Sequence, residues 1–415
     1  MSYFQLNIGN LVTFLALLPE MQEQFSSFDN LEVTEITDGN MNYAFVVNNL
    51  DAPSESVFCK QSPPYIKVMG EDWPLTRERM TAELRALSFQ AKVSPHTAPT
   101  IYYQSEALSV LVMQNLQDHN ILRNELIKGH YFANLADDMA SYLAATLFFS
   151  SDFGLPSEQK KALMARSANI DMCMISEDFI FTYPFEHHEM NNYNPALSQA
   201  SIDMIQKDPE VRANVAQMKH CFATCKQVLL HGDLHTGSIM LNQEHTYVID
   251  AEFAFSGPMG FDIGALLANF YLSYFSHAHK NNDASQKYCK WLLQQIELIW
   301  TGFEIKFVQH WAEYDKSSNK PFMGKDLSGD SHSTYRQVFL RQLFHDTLGF
   351  AACKIIRRIL GVAKVADLMQ FEDEILRAKL ETQALTFAKE ILLNRQRYFD
   401  IHNVNQVARS SSLLS

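Results

Sequence analysis

The chain has 415 residues, 47% of them hydrophobic, and a formal net charge of −13 at pH 7. A chain of this length and apolar share can bury a large core, and its length predicts two or three compact units. The negative charge argues against a general nucleic-acid or anionic-membrane surface, so we expect neither partner. A local cluster of Lys and Arg can still bind one anionic small molecule.

The cysteines and the N-terminus indicate where the protein resides. Of six scattered cysteines, only Cys221 and Cys225 are close, at helical spacing and without the second pair that a zinc site needs. Reduced thiols in the cytoplasm are therefore expected. The apolar run LVTFLALL near the N-terminus is too short to span a bilayer and has no basic start. We expect a soluble, unprocessed chain.

Residues 1–117 are predicted to form a small β-rich unit with one helix. Residues 31–47 read as two strands around a turn, because Asp38, Gly39 and Asn40 tolerate the left-handed conformations that a hairpin requires. The strand SVFCK follows, and LSVLVMQNL predicts another. The polar residues QDHN after it indicate a linker.

One helix is predicted between those last two strands. Pro74 and Thr76 favour its start, and Met80, Leu84 and Leu87 recur at helical spacing.

Residues 118–415 are predicted to form a larger, mainly helical unit. The apolar stretches NLADDMASYLAATLFFSSDFGL, DIGALLANFYLSYFSHA and FHDTLGFAACKIIRRILGVAKVADL are typical of buried helices. Short strands interrupt them at Val228–Phe253. Residues 314–333 are polar and rich in Gly and Ser, which predicts a mobile surface loop.

Asp250 and Glu252 follow the apolar run YVI. Alternation along the end of a strand would put both carboxylates on one face. Two such oxygen ligands suit magnesium held against phosphates. A solvated strand end is the alternative, and the neighbouring motif favours the metal site.

Asp233 stands in a turn between the strands VLL and IML, flanked by His231 and His235. A carboxylate in such a turn can accept a proton from a hydroxyl held beside it, or it can cap its own turn. His231 is interpreted as a hydrogen-bonded turn residue. Ser238 is compatible both with a ligand contact and with a turn hydroxyl.

Lys60 closes the apolar strand SVFCK, so its ammonium stands alone unless an anion meets it. Glu83 on the following helix is a candidate partner. The small residues around Gly39 let backbone N–H groups approach phosphates. The order of hairpin, strand Lys, helix Glu, turn Asp and paired carboxylates favours phosphate chemistry.

Three further charged residues lie near helix ends. Asp262 precedes a long apolar helix and is interpreted as its cap. Arg357 and Arg358 lie near the end of a helix that Gly361 is expected to terminate, where cations stabilise the negative helix end. A solvated basic terminus is the alternative to a ligand-binding role.

With these residues in place, HGDLHTGSI and DAEFAFSGPMGFDIG resemble the signatures of the kinase-like small-molecule phosphotransferases. Together with DGNMNY, GEDWP and DTLGFAACKIIRRI, they resemble the methylthioribose kinase family in particular. The resemblance implies an α+β, two-lobed protein-kinase-like fold, with a β-rich lobe at 1–117 and a mainly helical lobe at 118–415. It also implies ATP and Mg²⁺ as cofactors, transfer to the 1-hydroxyl of 5-methylthioribose in methionine salvage, and a homodimer.

The resemblance also assigns roles residue by residue. It implies Asp233 as the base, Lys60 on the α- and β-phosphates, and Asp250 with Glu252 on Mg²⁺. The turn of Gly39 and Asn40 would cover the phosphates. The remaining implied contacts are those of adenine with Met113, Gln114, Asn115 and Leu116, and those of the sugar with Asp233, Arg357 and Arg358.

The sequence departs from the family at two positions and leaves two alternatives. Gln114 stands where Glu is expected, and Tyr183 stands where Asp is expected. One alternative is a kinase of the same fold for an aminoglycoside- or choline-like alcohol, although paired arginines disfavour a cationic acceptor. The other is an inactive nucleotide-binding module, in which loss of Lys60, Asp233 or Asp250 would be expected, yet all three are present.

Overall fold

The computed structural model describes residues 3–37, 41–280, 282–324 and 329–413. Its N-terminal part contains β1 (Leu31–Ile36), β2 (Tyr43–Asn49), β3 (Ser56–Gln61), β4 (Tyr65–Ile66), β5 (Gly70–Pro74), β6 (Ile101–Ser105) and β7 (Val110–Gln114). Five of these strands form an antiparallel sheet in the order β1-β2-β3-β7-β6, and β4 pairs with β5 in a separate hairpin. The helices of this part are α1 (Leu11–Ala16) and α2 (Glu78–Val93).

The alternation of side chains in β3 decides where Lys60 points. Val57 and Cys59 are buried in a core with Phe45 of β2 and Phe14 of α1. Successive side chains of a strand face opposite sides, so Lys60 faces the other side of the sheet, where α2 packs.

The predicted hairpin, the strand that carries Lys60 and the strand after the helix are confirmed, whereas β6 was not predicted. The turn residues Asp38, Gly39 and Asn40 lie outside the described residues. The predicted helix start is wrong, because Pro74 ends β5 and α2 begins at Glu78. Thr76 contributes as a cap, since its Oγ1 accepts the N–H of Glu78 at 3.2 Å.

The C-terminal part is mainly helical. Its helices are α3 (Leu122–Lys128), α4 (Leu135–Phe149), α5 (Ser157–Arg166), α6 (Ile170–Phe181), α7 (Gln199–Gln206), α8 (Pro209–Thr224), α9 (Gly260–Ala278), α10 (Asp283–Ser317), α11 (Gly329–Leu360), α12 (Ala366–Met369), α13 (Glu374–Asn394) and α14 (Ile401–Ser412). Its short strands are β8 (Asn120–Ile121), β9 (Val228–Leu230), β10 (Ile239–Leu241), β11 (Thr246–Val248) and β12 (Phe255–Gly257).

Helix α9 is the centre of this part, because its residues are buried on every side. Two glycines let α11 approach it closely. A Cβ at Gly264 would lie 2.6 Å from the main-chain oxygen of Thr347, and one at Gly260 would lie 2.9 Å from the nitrogen of Thr347. This packing brings the C-terminal turns of α11 beside the strand–turn segment that follows α8.

Two predictions about this part need correction. The segment 314–333 is largely helical at its ends, because α10 continues to Ser317 and α11 begins at Gly329. Asp262 is not a residue before the helix but lies in the first turn of α9, and its contacts are with another segment.

The α+β class, with a small sheet followed by a larger helical part, is confirmed, and the division after residue 117 stays a prediction. Among the helices that the structure describes, none combines the length and apolarity of a bilayer-spanning segment. All six cysteines are free thiols.

Candidate active site

Lys60 bridges two carboxylates where the N-terminal sheet meets the C-terminal part. Its ammonium lies 2.8 Å from Oε1 of Glu83 on α2 and 2.5 Å from Oδ1 of Asp250. The side chains of Lys60 and Glu83 are 9% and 1% exposed, whereas that of Asp250 is 50% exposed. The predicted Lys60–Glu83 pair is confirmed, and it holds the ammonium against an accessible carboxylate.

Asp250 reaches Lys60 through a turn rather than through strand alternation. Strand β11 ends at Val248, and Asp250 has φ 67°, in the left-handed region. Asp adopts this conformation more readily than most residues because its short side chain can hydrogen-bond locally. The prediction that a strand end places Asp250 and Glu252 on one face is therefore wrong, although both residues meet the Lys60 cluster.

Glu252 is buried and bound by the N-terminal part. Its Oε2 accepts the Nδ2–H of Asn42 at 2.7 Å and lies 3.8 Å from Nε of Arg79. Arg79 also donates to Oδ1 of Asn42 at 3.2 Å, as does the hydroxyl of Ser62 at 2.8 Å. This network fixes the segment after the first hairpin turn against the Glu252 carboxylate.

The pKa values of the cluster show its charge balance. Burial raises the pKa of Glu252, and the charge of Asp250 adds to this against the opposing effect of Lys60. Burial also acts to raise the pKa of Asp250, but the charge and hydrogen bond of Lys60 outweigh it and lower the pKa. Burial acts to lower the pKa of Lys60, but Asp250 and Glu83 outweigh it, so Lys60 stays protonated.

The turn that carries Asp233 is held by main-chain hydrogen bonds. The carboxylate of Asp262 accepts the N–H of His231 at 2.7 Å and the N–H of Gly232 at 3.0 Å. Gly232 has φ 85°, and a Cβ there would lie 2.0 Å from the main-chain oxygen of Phe253. His231 Nε2 lies 2.8 Å from the main-chain oxygen of Ile249, which confirms its interpretation as a turn residue.

Both carboxylate oxygens of Asp233 have side-chain partners. Oδ2 lies 3.2 Å from Nε2 of His235, and Oδ1 lies 3.3 Å from Nζ of Lys354 on α11. The hydroxyl of Ser238 donates to the main-chain oxygen of Asp233 at 3.0 Å. Ser238 is 1% exposed, so its hydroxyl serves the turn.

These partners set the ionisation of Asp233. Burial acts to raise its pKa, but His235, Lys354 and Arg357 outweigh burial and hold the pKa well below its usual range. Burial lowers the pKa of His235 to about 4, so this imidazole is neutral at pH 7. Of these three partners, the ones that carry a positive charge at pH 7 are therefore Lys354 and Arg357.

Four cationic side chains act electrostatically on Asp233: Lys354, Arg357 and Arg358 from α11, and Arg123 from α3. Arg358 is 8% exposed and its guanidinium lies 3.4 Å from the main-chain oxygen of Lys364. The solvated-terminus alternative is therefore wrong for Arg358. Among the described residues, the buried Nε of Arg357 has no hydrogen-bond partner.

Asp367 on α12 is the counter-ion of this group. Its Oδ2 lies 3.6 Å from Nε of Arg123, and its side chain is fully buried. Within the described ranges neither carboxylate oxygen has a hydrogen-bond partner. Burial raises the pKa of Asp367 to about 6, against the opposing charges of Arg123 and Arg358.

The segment expected to read adenine covers the end of β7 and the two residues after it. The N–H of Gln114 donates to the main-chain oxygen of Thr100 at 2.8 Å, and Met113 is paired within the sheet. Asn115 and Leu116 lie beyond the strand, and Leu116 is buried. The adenine contacts of this segment stay a prediction.

The predicted site residues fall into two adjoining groups. Lys60, Asp250 and Glu252 form one, and Asp233, Arg357 and Arg358 form the other; His235 influences both, since it also acts on the pKa of Asp250. Gly39 and Asn40 lie outside the described residues.

The model of the phosphotransferase enzyme family (APH) matches residues 32–281. The chain belongs to the phosphotransferase enzyme family. It is 37% identical to methylthioribose kinase 1 of Oryza sativa subsp. japonica, over 96% of this chain and 94% of that protein. It is 38% identical to methylthioribose kinase of Bacillus cereus (strain 03BB102), over 91% of each chain. These relatives confirm the predicted class of small-molecule kinase.

Among solved structures, this phosphotransferase is similar to a choline kinase from Cryptosporidium parvum. The two are 15% identical, the match covers 97% of this chain and 100% of the other, and the TM-score is 0.46. A similarity at this level says nothing about the acceptor.

The two departures from the family pattern have local roles in this phosphotransferase. Tyr183 stacks on His188, with ring centroids 3.6 Å apart and planes at 7°, and its hydroxyl lies 3.5 Å from Asp178. The side chain of Gln114 accepts the N–H of Thr100 at 3.3 Å. Neither side chain contacts Lys60 or Asp233 in any hydrogen bond between described residues.

Sequence reasoning missed five polar residues of the site, namely Asn42, Arg79, Arg123, Lys354 and Asp367. Arg123 and Asp367 come from segments remote from the motifs, and Asn42 and Arg79 lie in or near motifs whose pattern gave them no role. The sequence does give a signal for Lys354. A single Lys inside the apolar run FAACKII is expected to be buried, and a buried Lys needs an anionic partner.

Proposed function

We propose that this protein transfers the γ-phosphoryl group of ATP to the 1-hydroxyl of 5-methylthioribose, giving 5-methylthioribose 1-phosphate in methionine salvage. The names of the two relatives support this acceptor. In the reaction the 1-oxygen forms a bond to the γ-phosphorus, the bond to the β-phosphate oxygen breaks, ADP leaves, and the hydroxyl proton is released.

The nucleotide would lie between the sheet and the helical part. Lys60, held by Glu83 at 2.8 Å, would pair with the α- and β-phosphates. The turn of Gly39 and Asn40 would cover the phosphates. Met113, Gln114, Asn115 and Leu116 would line the adenine site. Because phosphoryl transfer depends mainly on positioning and on neutralising charge, a rigid ammonium in this place suits the reaction.

Asp250 and Glu252 fit a magnesium site. No group of three potential metal ligands occurs in the described part of the chain, but Mg²⁺ usually takes one or two carboxylates and completes its shell with phosphates and water. The charge of Asp250 raises the pKa of buried Glu252, and a divalent cation would relieve that repulsion. Bound there, Mg²⁺ would neutralise phosphate charge.

Asp233 would accept the hydrogen bond of the acceptor hydroxyl. Its depressed pKa makes it a weak base, so orientation of the hydroxyl is its main contribution and proton removal follows bond formation.

The observation that carries the choice of acceptor is the group of four cations around Asp233. A cationic acceptor such as choline or an aminoglycoside would be repelled, and Asp367 offsets only part of that charge. A neutral sugar with vicinal hydroxyls can use the guanidinium donors, with Arg357 and Arg358 as its binding residues. An inactive module is disfavoured because Lys60, Asp233 and Asp250 are all present and Lys60 contacts Asp250 at 2.5 Å.

The test is a phosphorylation assay with MgATP over a panel of methylthioribose, ribose, choline and an aminoglycoside. We expect the highest kcat/KM with methylthioribose and loss of that activity in Asp233→Asn. Preference for a cationic acceptor would overturn the substrate assignment, and absence of turnover with any acceptor would leave only nucleotide binding.

We further propose a cytoplasmic homodimer. The free thiols support the reducing compartment, and the dimer is supported by the family resemblance alone. Light scattering of the purified protein tests the dimer.

A further inference from the structure

Lys354 is a lysine buried almost completely beside the residue that would bind the acceptor. It is 3% exposed and lies on α11, one turn before the paired arginines. Its Nζ lies 3.3 Å from Oδ1 of Asp233 and 4.4 Å from the centre of the Phe261 ring, on its face. A lysine is rarely buried to this degree unless its charge has a specific partner.

The surroundings of Lys354 select Asp233 as that partner. The charged groups that act on it are Asp233, Asp262 on α9, and Arg357 and Arg358 on its own helix, and His235 lies against the other oxygen of Asp233. Both oxygens of Asp262 already accept main-chain N–H groups. Asp233 is the carboxylate within ion-pair distance of Lys354.

The position of the ammonium carries an energetic cost. Burial, together with the two arginines, lowers the pKa of Lys354 to about 8, against the raising effect of Asp233. A residue needed only for packing would be better served by an apolar side chain, since unpaired buried charge is destabilising. The cost is understandable if the ammonium acts on Asp233.

We propose that Lys354 is a positioning residue that acts through Asp233: its ammonium fixes Oδ1, so that the carboxylate stays ionised and presents its remaining lone pairs to the acceptor hydroxyl. His235 holds Oδ2 from the other side at 3.2 Å. This inference rests on the proposed function, because it assigns Lys354 to the same acceptor step.

The test compares Lys354→Met with wild type. Methionine keeps an unbranched side chain that is one atom shorter and can pack on the Phe261 ring, but it removes the charge. We expect kcat with methylthioribose to fall about 10- to 100-fold, as misplacement of a reacting group does, while KM for ATP stays the same. We also expect the acidic limb of the kcat/KM profile to move up by about one to three pH units, because an opposite charge at this distance lowers a carboxyl pKa by that amount.

Lys160→Met is the matched control. Lys160 is also buried, at 1% exposed, but its ammonium donates to the main-chain oxygens of Ser150 and Gln227. Lys160→Met also removes one buried positive charge, so its stability should change. The acidic limb of its kcat/KM profile should stay where it is in the wild type. Lys354→Arg, which restores a cation, should return the limb toward its wild-type position.

Two results would overturn the proposal. One is a Lys354→Met enzyme with wild-type kcat and an unmoved acidic limb; the other is an equal shift of the limb in Lys160→Met, which would make the effect one of stability. Failure of the proposed function is distinguishable, because wild type would then be inactive with methylthioribose. In that case wild type, Lys354→Met and Lys160→Met are compared by their rates of ATP hydrolysis without an acceptor. An acidic limb of that pH profile that does not move in Lys354→Met overturns the proposal.

Discussion

Replacing Asp367 by Asn should stabilise the protein at neutral pH, although the change removes one partner of a buried ion pair. Asp367 is fully buried, 3.6 Å from Arg123, and its carboxylate oxygens have no hydrogen-bond partner among the described residues. Burial raises its pKa from 3.8 to about 6. The folded protein therefore binds this proton more tightly than the unfolded chain.

The pH dependence follows from that difference. The stabilisation by protonated Asp367 is complete below pH 3.8 and is lost as the pH rises through about 6. Each unit of difference between the folded and unfolded pKa corresponds to about 1.4 kcal/mol. The difference between 3.8 and about 6 therefore costs the folded protein about 3 kcal/mol at pH 7.5, relative to protonated Asp367. Asn mimics the protonated acid at every pH. Asp367→Asn should thus exceed wild type by about 3 kcal/mol at pH 7.5 and match it near pH 4.

Urea unfolding at pH 4 and pH 7.5 measures both values, with circular dichroism as the readout. Asp118→Asn, on an exposed side chain, is the control and should stay within about 0.5 kcal/mol of wild type at each pH. If Asp367→Asn is less stable than wild type at pH 7.5, the charged Arg123–Asp367 pair is net stabilising and the reasoning from burial is refuted.

Four further variants separate the parts of the site. Asp233→Asn should lower kcat about 10²- to 10⁴-fold yet keep the MgATP-induced rise in Tm; near-normal turnover would remove Asp233 from its proposed role. Arg357→Ala should lower kcat/KM for methylthioribose about fivefold or more, since its Nε lacks a partner among the described residues. Arg358→Ala should also lower kcat/KM for methylthioribose and, because Arg358 is buried against a carbonyl, should lower stability by about 1 kcal/mol or more; unchanged steady-state kinetics would remove Arg358 from the proposed binding residues. Gly232→Ala should destabilise the fold by about 1 to 3 kcal/mol and abolish activity, because of its φ of 85° and the nearby oxygen of Phe253; a stable, active variant would contradict this reading of the turn.

Local motifs made much of the site predictable. Four residues are predictable because each lies at a strand end or in a turn, which a few neighbouring residues are enough to indicate: Lys60, Asp233, Asp250 and Glu252. The Lys60–Glu83 pair followed from a strand and the next helix, and the structure confirms it at 2.8 Å.

The remainder depended on packing that a pattern does not reveal. Asp250 reaches Lys60 because its own backbone lies in the left-handed region, not because of strand alternation. The spacing of residues in a sequence does not show whether an Asp adopts that conformation. Arg123 and Asp367 come from helices more than 200 residues apart in sequence, and they meet because the helical part brings α3 and α12 together. The segment GEDWP formed a strand instead of a helix start because it pairs with β4.

The identity of the phosphorylated atom tests the central claim most directly. Wild-type enzyme, MgATP and 5-methylthioribose should be incubated to completion and the mixture followed by ³¹P NMR. We predict one mole of ADP for each mole of methylthioribose consumed, with the new phosphate coupled to the proton on C1. ADP formation equal to that in the absence of acceptor, or a phosphate on any other carbon, would contradict the account.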